Sequence, residues 1–163
     1  MNEELKETIE GFYRLADKMS AAGYPGSSME LKDHMMLVSV AIAAANGGIT
    51  EREMQCIDDY LGYTLDIGTV NKNILPEKLE NILREPPTEL FSFVEAEEGA
   101  GERFVQAVEK YLDVLIGADG DVNDNEVWVK DVYVDMLKDA LSNARSACRQ
   151  EQTPQTDSRL TGR

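Results

Sequence analysis

The chain has 163 residues, 42% of them hydrophobic, which is enough for one soluble domain with its own core. Acidic side chains outnumber basic ones by 31 to 16, and the formal net charge of −15 argues against nucleic acid or an anionic membrane as a partner. Cys56 and Cys148 form neither a disulfide framework nor a C-x-x-C metal clip, and the start of the chain lacks the pattern of a signal peptide. We therefore expect a cytoplasmic protein that inserts into no membrane.

The spacing of apolar residues predicts only helices in the first half of the chain. Residues 2–22 carry apolar side chains every three or four positions, which is typical of an amphipathic helix. Ser28 is predicted to cap a second helix, which is apolar around most of its circumference beyond Met35 and should lie at the centre of the fold. Thr50 begins a third helix that is predicted to end at Leu61.

The second half shows the same helical spacing after a weakly patterned connection at residues 63–73. Pro76 stands at a first helical position, and Thr88 is predicted to cap a short helix through Val94. A strong apolar stripe at helical spacing follows, formed by Phe104, Val108, Tyr111, Leu112 and Leu115.

The last predicted helix begins at Asn123, and its apolar pattern stops at Ala147. Polar residues, proline and arginine dominate residues 148–163, so we predict a disordered tail there. Residues 1–147 are predicted to form one all-α domain. We expect a compact bundle of six or seven helices, built from two pseudo-repeated helical hairpins.

The pseudo-repeat is carried by two short segments at a constant offset of 73 residues. The first corner, residues 45–53, reads Ala-Asn-Gly-Gly-Ile-Thr-Glu-Arg-Glu, and the second corner, residues 118–126, reads Ala-Asp-Gly-Asp-Val-Asn-Asp-Asn-Glu. In each corner a helix is predicted to end, a glycine that can adopt the left-handed conformation follows, and a new helix is capped. The paired positions are Gly47 with Gly120, Ile49 with Val122, Thr50 with Asn123, and Glu53 with Glu126.

The sequence assigns a role to each of these positions. Thr50 and Asn123 are the N-caps, and the glutamate three residues later completes a capping box in each corner. Ile49 and Val122 precede the caps and are predicted to act as apolar staples.

The second corner holds four carboxylates within eight residues, the kind of oxygen cluster that binds Ca²⁺, Mg²⁺ or Mn²⁺. It does not follow an EF-hand loop, because Asp124 stands where that loop needs glycine and Lys130 where it needs glutamate. A purely structural alternative is that the dipole of the last helix stabilises the negatively charged side chains in its first turn. Asp119 fits that alternative less well, because it follows the end of a helix and needs N–H groups or a cation to compensate its charge.

A divalent cation is therefore the one cofactor that the residues suggest. Its direct ligands should include Asp119 and Asp121, which have no capping duty. Glu126 or Glu53 should contribute only if the two corners approach each other. No residue is predicted to be catalytic, and the only histidine, His34, is interpreted as a residue of the helix surface or core edge.

These two corners resemble the tellurite-resistance TerB family, in which a helix, an Ala-Asp-Gly-x-Val/Ile-x-x-x-Glu segment and a second helix occur twice. The resemblance covers roughly residues 29–141 and includes Pro87 and the segment Leu-Phe-Ser-Phe-Val-Glu-Ala at residues 90–96. The first corner departs from it, because Asn46 and Gly48 stand where the motif has acidic residues. The resemblance implies an association with tellurite or metal stress.

Two functions follow as expectations. The first is a non-enzymatic TerB-like stress-response module whose acidic surface binds a divalent cation or a partner protein. The alternative is a metal-dependent hydrolase that uses the carboxylate cluster of Asp119, Asp121 and Glu126. We favour the module, because such an enzyme usually draws carboxylates or histidines from several helices.

Overall fold

The computed structural model describes residues 2–64 and 76–152, and within these two stretches the chain is all-helical, with no strand. This confirms the predicted all-α fold. Only residues 63 and 64 of the predicted connection at residues 63–73 belong to the described part of the chain. The described helices are α1 Glu3–Ala21, α2 Ser28–Ala43, α3 Glu51–Leu61, α4 Pro76–Ile82, α5 Glu89–Ala96, α6 Ala100–Ile116 and α7 Asp124–Gln152, and a 3₁₀ turn, Ala44–Asn46, follows α2.

Two helices, α2 and α6, form the centre of the bundle. The predicted stripe on α6 is buried, and this helix packs against α1, α2, α3, α5 and α7. The predicted central position of α2 is also confirmed, since it packs against α1, α3, α4, α6 and α7. Because both helices are surrounded, segments far apart in the sequence are brought to the same side of the molecule.

Three phenylalanines join α1, α5 and α6 at one end of the core. The rings of Phe12, Phe93 and Phe104 lie with their centroids 5.1 to 5.4 Å apart in tilted and edge-on arrangements. Burying each such side chain contributes about 1.5 to 3 kcal/mol, and favourable ring pairs add to that. This cluster fixes the short helix α5 against the rest of the bundle.

Two of the predicted helix starts need correction. Ser27, not Ser28, is the N-cap of α2, and its hydroxyl oxygen accepts a hydrogen bond from the Glu30 N–H at 3.1 Å. Both serines can cap a helix, and apolar spacing does not distinguish neighbouring positions. Thr88 precedes α5 as predicted, but it has helical backbone angles and its side chain makes no capping hydrogen bond.

The last helix is longer than its apolar pattern. It continues to Gln152, five residues beyond the predicted domain boundary at Ala147. Residues 153–163 lie outside the described residues, so the predicted disordered tail stays a prediction. None of the described helices, including this one, is long and apolar enough to cross a membrane.

Candidate functional site

The two corners lie against each other. The 3₁₀ turn of the first corner packs on α7, and the Thr50 hydroxyl donates a hydrogen bond to Asp119 Oδ1 at 2.8 Å across 69 residues of sequence. The same Thr50 oxygen accepts the Glu53 N–H at 3.2 Å. One hydroxyl therefore caps α3 and joins the corners. It also compensates Asp119, for which the sequence had suggested N–H groups or a cation.

The local geometry of the corners follows the predictions at most positions. Gly47 and Gly120 both have positive φ, at 104° and 79°, which side chains with a Cβ rarely adopt. Thr50 and Glu53 form the complete capping box of α3. In the second corner Asn123 Oδ1 accepts the Glu126 N–H at 3.3 Å, as an N-cap does. These features agree with a pseudo-repeat, although duplication of the whole hairpins stays a prediction.

The predicted staples differ in burial. Ile49 is 6% exposed and belongs to the core, whereas Val122 is 61% exposed and contributes little to it. The second corner therefore has an apolar side chain on its outer surface where the first has one in the interior. The sequence pattern alone could not show this, because both residues occupy the same motif position.

Glu53 and Glu126, the glutamates predicted to complete the two capping boxes, meet inside the bundle, and the capping box of Glu126 stays a prediction. Glu53 is 2% exposed and Glu126 is 4% exposed, and their carboxyl groups lie within hydrogen-bonding reach of each other. Burial raises the pKa of Glu126 to about 7, and the negative charge of Glu53, the hydrogen bond to it and the charges of Asp119 and Asp121 add to the effect. Near neutral pH the Glu126 carboxyl therefore exchanges between its protonated and ionised forms.

The site is layered from the interior to the surface. The buried carboxyls of Glu53 and Glu126 lie innermost, Asp119 is half-buried, and Asp121 is exposed. The corners thus approach each other, as a role for Glu53 required, and Asp119 and Asp121 lie near enough to Glu126 for their charges to act on it. Among residues 2–64 and 76–152 no group of three or more His, Cys, Asp or Glu is arranged to hold a metal ion. The ligand roles stay predictions.

Lys130, which sequence reasoning considered only as an EF-hand position, is a buried cation one turn after Glu126. Its Nζ donates to Asp113 Oδ1 on α6 at 2.8 Å and lies 3.3 Å from Asp131. The hydrogen bond to Asp113 raises the pKa of Lys130, so the amine stays charged. Lys130 therefore holds α7 to α6, and its position four residues after Glu126 was the only signal in the sequence.

His34 and Cys56 have packing roles. His34 Nε2 lies 2.8 Å from the Tyr133 hydroxyl, and burial lowers the pKa of this histidine to about 4, so it is neutral at pH 7. Burial, with smaller contributions from the charges of Asp59 and Glu53, raises the pKa of Cys56 to about 12. A buried thiol of this kind is not a reactive nucleophile.

Comparisons with protein-family models, with curated proteins and with solved structures found no match to this chain.

Proposed function

We propose that this chain is a non-enzymatic, TerB-like stress-response module that binds a divalent cation at its joined corners. The observation that carries the proposal is the buried pair of Glu53 and Glu126 beneath Asp119 and Asp121. Carboxylates held together in this way repel each other unless a proton or a cation lies between them. A hard cation such as Ca²⁺, Mg²⁺ or Mn²⁺ is bound by oxygens of this kind.

The proton and the cation compete for the same oxygens. Because the pKa of Glu126 is raised to about 7, binding at or below neutral pH has to displace a proton. The apparent affinity should therefore rise with pH, by up to about tenfold per unit below pH 7, and level off above it. Proton release on binding is the signature that distinguishes this site from a surface carboxylate cluster.

Affinity for the ion should be modest. Few protein oxygens converge at the corners, and an ion that keeps much of its water is held with a dissociation constant on the order of 10⁻⁴ to 10⁻³ M, as in low-affinity calcium modules. Such a site responds to raised cation concentrations and is empty at low ones. This behaviour suits a module that acts under metal stress.

Calorimetric and amide NMR titrations with each of the three ions test the proposal. We expect the protein carrying both Asp119→Asn and Asp121→Asn to bind about tenfold or more weakly than the native protein, because two charged ligands are lost. A matched control carries Glu4→Gln and Glu7→Gln, two exposed positions on α1, and has the same net charge. It should bind like the native protein, and equal responses from all three proteins would remove the site.

The hydrolase alternative is tested separately by phosphatase and nuclease assays with added Mn²⁺. Turnover by the native protein that disappears in the Asp119→Asn, Asp121→Asn protein would establish the enzyme instead of the module. The stress association is tested by deleting the gene in the source organism and comparing survival in tellurite and in raised divalent metals.

A further inference from the structure

The outward face of α7 carries two large apolar side chains side by side. Trp128 is 68% exposed and Val132 is 44% exposed, and residues four apart on a helix are neighbours on one face. Single exposed apolar residues are common on protein surfaces. An exposed tryptophan next to an exposed valine is less common. Tryptophan is also one of the residues that most often anchor protein interfaces.

Carboxylates surround this apolar pair on the same face. Asp124 lies one turn before Trp128, Asp131 lies beside it, and Asp135 and Asp139 continue the row. All four are exposed. We call this surface the α7 face; its exposed members are Asp124, Asn125, Trp128, Asp131, Val132, Asp135, Asp139, Ser142 and Asn143.

The basic residues of this part of α7 are turned away from the face. Lys130 is buried against Asp113, Lys138 pairs with Glu109 on α6 at 3.9 Å, and Arg145 pairs with Glu102 on α6. In the described part of the chain Asp124, Asp135 and Asp139 make no ion pair, while Asp131 lies 3.3 Å from the Lys130 amine. The face therefore presents an apolar centre with a negative rim.

We propose that the α7 face docks a cationic amphipathic segment of another protein. Apolar side chains of that segment cover Trp128 and Val132, and its lysines or arginines face the aspartates. An arginine over the indole ring gains a cation–π contact as well. A second copy of this chain does not suit the face, because it brings two negative rims together, and nucleic acid is repelled in the same way.

The centre of this surface is separate from the proposed cation ligands, although Asp124 and Asn125 at its edge also belong to the second corner. Glu126 lies on the buried side of α7 and Trp128 on the exposed side. Docking at the face therefore does not depend on cation binding at the corners, and either proposal can fail alone.

The test uses the only tryptophan of the chain as its own probe. The full-length protein is titrated with a synthetic amphipathic helix of leucine and lysine, about 18 residues long so that it is stably helical when bound. We expect saturable binding with a blue shift of the Trp128 emission as the indole leaves water. Val132→Ser should weaken binding at least about fivefold, since it truncates a side chain at the centre of the interface.

Charge variants separate docking from general attraction between opposite charges. Asp135→Asn with Asp139→Asn should weaken binding about tenfold at low salt, and the effect should shrink as salt is added. The control with Glu4→Gln and Glu7→Gln has the same net charge and should weaken it less than about twofold. Asp119→Asn with Asp121→Asn, which impairs the corners, should also change peptide binding less than about twofold.

Three results would overturn the proposal. The first is equal weakening by the α7-face variants and the control, because it would mean that only the total charge of −15 attracts the peptide. The second is binding without any change in the Trp128 emission. The third is light scattering that shows a concentration-dependent dimer abolished by Trp128→Ser, which would assign the face to a second copy of the chain. Circular dichroism checks that each variant is folded.

Discussion

The raised pKa of Glu126 makes its contribution to the stability of this protein decrease as pH rises. In the unfolded chain Glu126 has no neighbours and titrates near the usual glutamate pKa of about 4.3. In the folded protein its pKa is about 7, so the folded state binds more protons between these two values. The contribution of Glu126 to stability is therefore fully present below about pH 4.3 and is lost as pH rises toward 7. Burial also raises the pKa of Glu89, in the same direction.

We expect the free energy of unfolding in urea to decrease between pH 5 and pH 8 by roughly 1 to 3 kcal/mol. Glu126→Gln should remove most of this decrease and should stabilise the protein at pH 8, because a neutral amide can donate to Glu53 without adding a charge. Glu85→Gln, at an exposed position outside the corners, should leave the pH dependence unchanged. A native protein whose stability rises steadily from pH 5 to pH 8 would contradict the raised pKa of Glu126.

The loop between α1 and α2 requires a glycine at position 26. Gly26 has φ of 105°, and a Cβ added there would lie 2.8 Å from the Glu89 Cδ. The Glu89 side chain has no freedom to move aside, because it is 2% exposed and accepts the Ser27 N–H at 3.0 Å. The glycine therefore serves both the turn and the packing of α5.

Two alanine substitutions in this loop separate the backbone effect from the packing effect. Gly23→Ala adds a Cβ at a similar φ of 97° with nothing within 4 Å, so it should cost only the strain of the left-handed conformation, about 1 to 2 kcal/mol. Gly26→Ala should cost about 1 to 3 kcal/mol more, because it also displaces a buried hydrogen-bonded carboxylate. Urea unfolding measures both, and equal losses would mean that Glu89 moves freely.

The helices were predictable from the sequence because apolar spacing reports directly which face of a helix is buried. The stripe from Phe104 to Leu115 on α6 is the clearest case. Helix ends were less predictable, as the shift of the α2 cap to Ser27 and the missing side-chain bond of Thr88 show. Neighbouring residues can serve equally well as caps, and the choice depends on contacts that only the folded chain provides.

The acidic residues of the site could be predicted from the sequence, but their arrangement in the folded protein could not. Glu53 and Glu126 were recognisable as a pair of the repeated motif, and Asp119 and Asp121 as members of the acidic cluster of the second corner. Their meeting depends on how α3 and α7 pack in the bundle, which local spacing does not encode. The exposure of Trp128 was hidden for the same reason, since a helix of this length has apolar residues on more than one face.

The bond between Thr50 and Asp119 also has a consequence for the order in which the chain folds. It closes a loop of 69 residues, and closing a flexible loop of that length costs about 4 kcal/mol of chain entropy, plus a constant. We infer that this bond forms late, after the helices have packed, so that it is absent from the transition state. Losing it should then affect the unfolding rate and not the folding rate.

Stopped-flow measurements on Asp119→Ala should therefore show an unfolding rate raised about fivefold, for a loss of about 1 kcal/mol, with the folding rate nearly unchanged. Asp119→Asn keeps an oxygen that can accept from Thr50 and should retain the native rates. Slower folding of the alanine variant would place the junction early on the pathway. If the hydrogen bond between Thr50 and Asp119 forms late, it slows unfolding and does not speed folding.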